Sequence, residues 1–205
     1  MQGLDIIFSI IGLVLSIVVH EVSHGYAALY LGDPTAKLSG RLTLNPLLHL
    51  DPFGSVILPL MLIIFNAPFL LAWAKPVPYN PYNLSKGKWG PAIVAVAGPL
   101  SNFTIALVLS IFVRLDAIPL AALSFVVTIV IINIVLGIFN LLPFVPLDGS
   151  KILFSLLPYR LRHVEEFMYR YQWVLILFLF IFAWGPLVRI VLPAISYLFL
   201  GFNVF

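Results

Sequence analysis

VVHEVSHGYAALYL, residues 18–31, sets two histidines and a glutamate inside an otherwise apolar run. Side chains four apart on a helix lie about 40° apart around the axis, so His20 and His24 share a face and Glu21 stands beside it. No proline interrupts residues 4–32, and apolar sequence continues on both sides of the motif, so the run reads as one helix that Gly32-Asp33-Pro34 ends. Two imidazoles on one helical face with a carboxylate alongside form a metal clamp. The alternatives are a chance HExxH or histidines bonded in a polar core. Inside lipid each ionisable group costs on the order of 2.5–3.5 kcal/mol on insertion scales, so three within five residues call for a compensating partner, which favours metal.

The whole chain explains why lipid is the expected surroundings. It has 205 residues, 62% hydrophobic and 9% charged, far from the roughly 25% charged content of soluble domains. Apolar stretches at 4–31, 53–73, 91–113, 118–142 and 173–200 approach or exceed the roughly 20 residues needed to cross a bilayer. The reading is an all-α polytopic membrane protein, a single domain over 1–205 with a core at 4–158 and a C-terminal helical segment at 159–205. Five to six membrane-embedded helical segments are expected. Residues 4–19 lack a charged leader and a small-residue cleavage site, so they are read as a mature span rather than a signal peptide. There is no cysteine, so any metal must use His, Asp or Glu. The net charge of +3 sits in short loops, where it reports orientation rather than nucleic-acid binding.

A catalytic zinc usually takes three protein ligands and leaves one position open. Candidates for the third are Asp5, Asp33, His49, Asp51, Asp116, Asp148, Glu165 and Glu166. Asp33 and Asp51 lie beside prolines in turn-like contexts, and Asp5 is about 22 Å from His20 along a helix. Asp148 differs in its setting, FNLLPFVPLDGSKIL at 139–153. There Pro143 and Pro146 stop a helix and Gly149 is expected to permit a turn, leaving unwound backbone near membrane depth, where it is tolerated if it lines a cavity.

HEVSH and NLLPFVPLDG together resemble the site-2 protease family of intramembrane metalloproteases. The resemblance runs through GRLTLNPLLHLDPFG (40–54), WAKPVPYNP (73–81) and AGPLSN (97–102), about three-quarters of the chain. It implies one Zn2+ per chain held by His20, His24 and Asp148, with Glu21 as general base. Asn140 resembles the family's substrate-holding Asn and is a candidate catalytic or oxyanion donor, with helix packing as its alternative. His49 and Asp51 are either groups that orient a ligand or interfacial polar residues; the interfacial reading is preferred, and His49 stays a candidate substrate contact. Asn102 is expected to pack helix against helix, and Lys151 to anchor the chain at the membrane surface. No appended soluble domain is expected.

The implied activity is an intramembrane zinc endopeptidase that cuts peptide bonds in or near transmembrane segments of membrane proteins. Its partners are then a transmembrane substrate and the lipid bilayer. The alternative is a metal or proton transporter built on the same His/Asp site, although the chain shows no inverted repeat. A scaffold without activity is a third option, against which the four intact motif residues argue. Topology depends on 53–73, which contains Pro59 and Asn66-Ala67-Pro68. If that stretch is re-entrant, Lys37, Arg41, Lys75, Lys86, Lys88, Lys151, Arg160, Arg162 and Arg170 share one side against Arg114. This is the stronger positive-inside pattern. It predicts a multi-pass protein of the cell membrane with an external N-terminus and a site opening to the cytoplasm. Residues 37–44 and 73–79 would then pair as a short β element able to receive an extended substrate by strand addition. Gly185-Pro186 divides 173–200 into a kinked span or a hairpin.

Overall fold

The computed structural model describes residues 2–57, 60, 61, 64, 65, 74–202 and 204. Three of its helices are long and apolar enough to cross a membrane: Phe8–Tyr30, Gly87–Arg114 and Leu120–Asn140. The first belongs to α1 (Gln2–Tyr30), followed by the short α2 (Thr35–Leu38). The others carry α3 (Gly90–Arg114) and α4 (Leu120–Asn140), and α5 (Asp148–Leu156) follows the Pro143–Pro146 loop. Local chemistry sets these limits. Gly32, at φ +103°, ends α1, Pro91 lies in the first turn of α3, and Pro119 precedes α4.

Side-chain contacts fix the helix directions. His24 bonds the Val94 carbonyl while Ser16 faces Asn102, so α1 and α3 are antiparallel. Ser16 also meets Asn133, and Gly12 lies against Ile129, so α1 and α4 run parallel. The chain leaving α1 therefore returns to the end it left. The Ser85 N–H donates to the Leu31 carbonyl at 2.8 Å. Asp33 accepts from the Asn80 N–H at 2.7 Å and the Asn83 amide at 2.9 Å. The re-entrant expectation for 53–73 requires this return. The path of 58–73 itself lies almost wholly outside the described residues.

The expected β element does not form among the described residues. Residues 35–38 coil into α2, and an isolated antiparallel bridge joins Leu50 to Ala74, with Lys75 N–H on the His49 carbonyl at 2.9 Å. The reason is a shortage of free ladder groups. Pro76 and Pro78 have no N–H, Val77 N–H is taken by Glu21, and the Arg41 guanidinium occupies the Lys75 carbonyl at 2.7 Å.

Among the described residues three helices, or four with one bent pair, are long and apolar enough to span; the five to six membrane-embedded segments expected include 53–73, most of which lies outside the described residues. Beyond the three long helices, Gln172–Phe182 and Trp184–Leu200 meet at a bend of 48°, which is a kink rather than a reversal. α6 (Arg162–Arg170) precedes this pair, which contains α7 (Gln172–Phe178), the one-turn α8 (Trp184–Pro186) and α9 (Leu192–Leu200). Leu192 and Leu200 pack with Ala106, Val113, Val130 and Ile134 of α3 and α4. Arg114 donates to the carbonyls of Leu198 and Phe199 and so caps the last helix.

Candidate metal centre

His20 and His24 lie one helical turn apart on the buried face of α1, against α3. Their approach depends on Gly98, where a Cβ would stand 2.4 Å from His24 Nε2 and 2.6 Å from His20 Cε1. Asp148, in the first turn of α5, completes the group. His20 Nε2 and His24 Nε2 are 3.0 Å apart, and Asp148 Oδ2 is 3.2 Å from the first and 3.0 Å from the second. Among the described residues this is the one group of His and carboxylate donors able to hold a metal.

The triangle fits a tetrahedral zinc. Ligand atoms at 2.0–2.1 Å from such an ion stand about 3.3 Å from each other. Two imidazole nitrogens and a carboxylate oxygen this close repel one another unless a cation, a proton or a metal ion, sits among them. The far sides of the rings are engaged as a metal site demands: His24 Nδ1 donates to the Val94 carbonyl at 2.7 Å, and His20 Nδ1 lies 2.6 Å from Asn102 Oδ1. Each ring thereby turns an Nε2 lone pair inward.

Asp148 is held from its other oxygen. Lys151 Nζ sits 3.1 Å from Oδ1 and 5.7 Å from the ring centre of Tyr79. Burial works against the ionised carboxyl of Asp148. With a proton rather than a metal among the three donors, hydrogen bonding from the imidazoles and the Lys151 charge outweigh it and hold the group well below the usual carboxylate range. Lys151 shows the mirror image, with burial opposing its charge and Asp148 raising its pKa. Burial pushes the Tyr79 phenol up.

Gly149 proves necessary for a different reason from the one its sequence suggests. It lies inside the first turn of α5 without a positive φ, and a Cβ there would meet the Leu141 carbonyl oxygen at 2.2 Å. Close approach, not a turn, requires the glycine.

Two comparisons bear on this geometry. The family model described as "Peptidase family M50" matches residues 115–184, which include Asp148. A Bacillus subtilis (strain 168) protein named "Putative zinc metalloprotease YwhC" is 37% identical over 190 residues, covering 88% of this chain and 83% of that protein.

The chain belongs to peptidase family M50.

A further relative, "Zinc metalloprotease MJ0392" of Methanocaldococcus jannaschii, is 27% identical over 154 residues, 75% of this M50 chain but 35% of that protein. No solved structure matches.

The remaining candidates of this M50 chain fall outside the triangle. Glu21 Oε2 accepts from Val77 N–H at 2.9 Å, so the irregular segment 75–80 pins the carboxylate next in sequence to His20. Asn140 Nδ2 donates to the Leu136 carbonyl within its own helix. His49 is 1% exposed and donates from Nε2 to the Thr43 carbonyl at 2.9 Å, a loop-ordering bond. Asp51 caps the Gly54 N–H. Sequence reading missed two contacts. Lys151, expected as an anchor, is bonded to Asp148, and Asn102, expected as packing, is bonded to His20. Only the polar character of AGPLSN within a span pointed to the second.

Proposed function

We propose that this chain is a zinc endopeptidase acting on peptide bonds in or beside transmembrane segments of membrane proteins. His20, His24 and Asp148 hold one zinc ion, and Glu21 is the general base. The observation that carries the reading is the convergence of three donor atoms within 3.2 Å, two from residues near the start of the chain and one from 128 residues beyond His20. The names of the M50 relatives support it.

Zinc bound there supplies Lewis acidity, lowering the pKa of water toward about 7 and polarising a carbonyl. The chain does the rest. Val94 and Asn102 keep the two Nδ1 protons in place, and Lys151 confines Asp148 to one oxygen directed at the histidines. Glu21 takes the proton of the attacking water and returns it to the leaving amine nitrogen. Asn140 and His49 are proposed substrate contacts of lower rank, since both side chains already bond the backbone.

The site opens toward the cytoplasm in this reading, with the N-terminus outside the cell membrane. Supporting this, Arg41, Lys75, Lys86, Lys88 and Lys151 belong to the loops and the helix start gathered at the metal-centre end, whereas Arg114 ends α3 at the other.

The test is Glu21→Gln in the purified chain, assayed on a membrane-segment peptide in detergent with zinc content measured in parallel. Cleavage is expected to fall at least 1,000-fold with about one zinc per chain retained. Unchanged cleavage would remove Glu21 as the base, and zinc flux into vesicles without peptide product would favour transport.

A further inference from the structure

Behind the metal centre, three long helices meet through polar side chains. Ser16 of α1, Asn102 of α3 and Asn133 of α4 are 4%, 0% and 0% exposed, at the level of the apolar core built on Val130 and Ile134. Their hydrogen bonds have one consistent direction. The Ile129 carbonyl can only accept, so the atom of Asn133 facing it at 2.9 Å is Nδ2, which also donates to Ser16 Oγ at 2.9 Å. Ser16 Oγ passes its own proton to the Gly12 carbonyl at 2.7 Å. Asn133 Oδ1 is thus left to accept from Asn102 Nδ2, at 2.8 Å, and the second Asn102 N–H points to the Ser16 carbonyl at 3.4 Å. With both protons of its amide spent, Asn102 can offer His20 Nδ1 nothing but Oδ1.

We propose that Asn133, supported by Ser16, is a positioning residue for His20: it locks the Asn102 amide so that His20 carries its proton on Nδ1 and presents a bare Nε2 to the metal. The inference rests on His20 being a ligand. Without the Asn133 acceptor, the Asn102 amide is free to turn over and offer an N–H. His20 would then take its proton on Nε2, where it cannot ligate. Helix-to-helix adhesion alone would explain a polar pair between α3 and α4. It would not explain why the donations run one way, from His20 through Asn102 and Asn133 to Ser16 and the Gly12 carbonyl.

The experiment compares two variants of nearly equal shape, Asn133→Val and Asn133→Thr, in the purified full chain. Zinc affinity is read by competition with a chromophoric chelator, and the His20 tautomer by nitrogen NMR of 15N-histidine-labelled, zinc-free protein at one fixed pH. Asn133→Val is expected to bind zinc about tenfold more weakly and to show His20 protonated on Nε2. Asn133→Thr, whose hydroxyl still accepts from Asn102, is expected to stay within about twofold of the parent. Equal affinities in all three chains, or equal losses in both variants, would overturn the proposal. Should Asn133→Val not fold, Ser16→Ala takes its place with a few-fold loss expected, and parental affinity there would likewise overturn it. A His20→Ala chain that binds zinc like the parent would instead strike at the metal assignment itself.

Discussion

Two glycines, Gly98 in the helix that backs the histidines and Gly185 in the bent C-terminal segment, mark two kinds of membrane packing. At Gly98 an added methyl meets the imidazoles at 2.4–2.6 Å, whereas at Gly185 it meets nothing within 4 Å. Around Gly98 the helices are held by directed polar bonds and backbone contact. The C-terminal segment touches the bundle mainly through apolar side chains and the Arg114 cap. Geometry is therefore enforced where the donors converge and left loose where the chain only adds apolar surface.

Gly98→Ala attacks that contrast most directly. The histidine rings must yield by about 1 Å to reach ordinary contact, and a misplacement of that size costs about 100-fold in activity. Chelator competition should show weakened zinc binding alongside. Undiminished zinc affinity would mean that the centre is as pliable as the tail. Gly149→Ala should follow, because the Leu141 and Leu142 carbonyls at 2.2 and 2.4 Å are backbone and move less easily than a side chain. We expect about tenfold lower cleavage as α5 shifts and carries Asp148 with it.

Asp33→Asn probes the clamp that returns the chain to the end of α1. Asp33 accepts from Thr35 N–H and hydroxyl, Asn80 N–H and the Asn83 amide. Burial alone would raise its pKa, but these donors outweigh burial and hold it below the ordinary value. The depressed pKa makes its stabilisation present above the unfolded carboxyl value of about 4 and lost as pH falls through the folded one. The variant should melt on the order of 5 °C lower. The difference should be constant from pH 5 to 8 and close in stronger acid. Last, Gly185→Ala should shift melting and activity by less than the error of either measurement, or raise stability slightly through helix propensity.

Much of this was legible in the sequence. Helical periodicity placed His20 and His24 on one face, and the LDG run singled out Asp148 once its family resemblance was seen. The pairing of 37–44 with 73–79 was not foreseeable as a failure. Period-two patterning does not reveal that Arg41 will take the Lys75 carbonyl or that Glu21 will take the Val77 amide. Asn102 does join helices, to Asn133 and Ser16, but its bond to His20 and that of Lys151 to Asp148 went unread for a similar cause: a polar residue in an apolar chain announces that it needs a partner without saying which. Those partners lie 31 to 86 positions away or, for Lys151, on the adjoining turn of a helix whose aim depends on the tertiary fold.

The 128-residue interval between His20 and Asp148 also sets an order of biosynthesis. A ribosome delivers the paired imidazoles long before the carboxylate that closes the triangle, after both α3 and α4 have been made. A polypeptide shorter than 148 residues has both imidazoles but not the carboxylate, so the proposed zinc site cannot close until α1, α3 and α4 have all been synthesised.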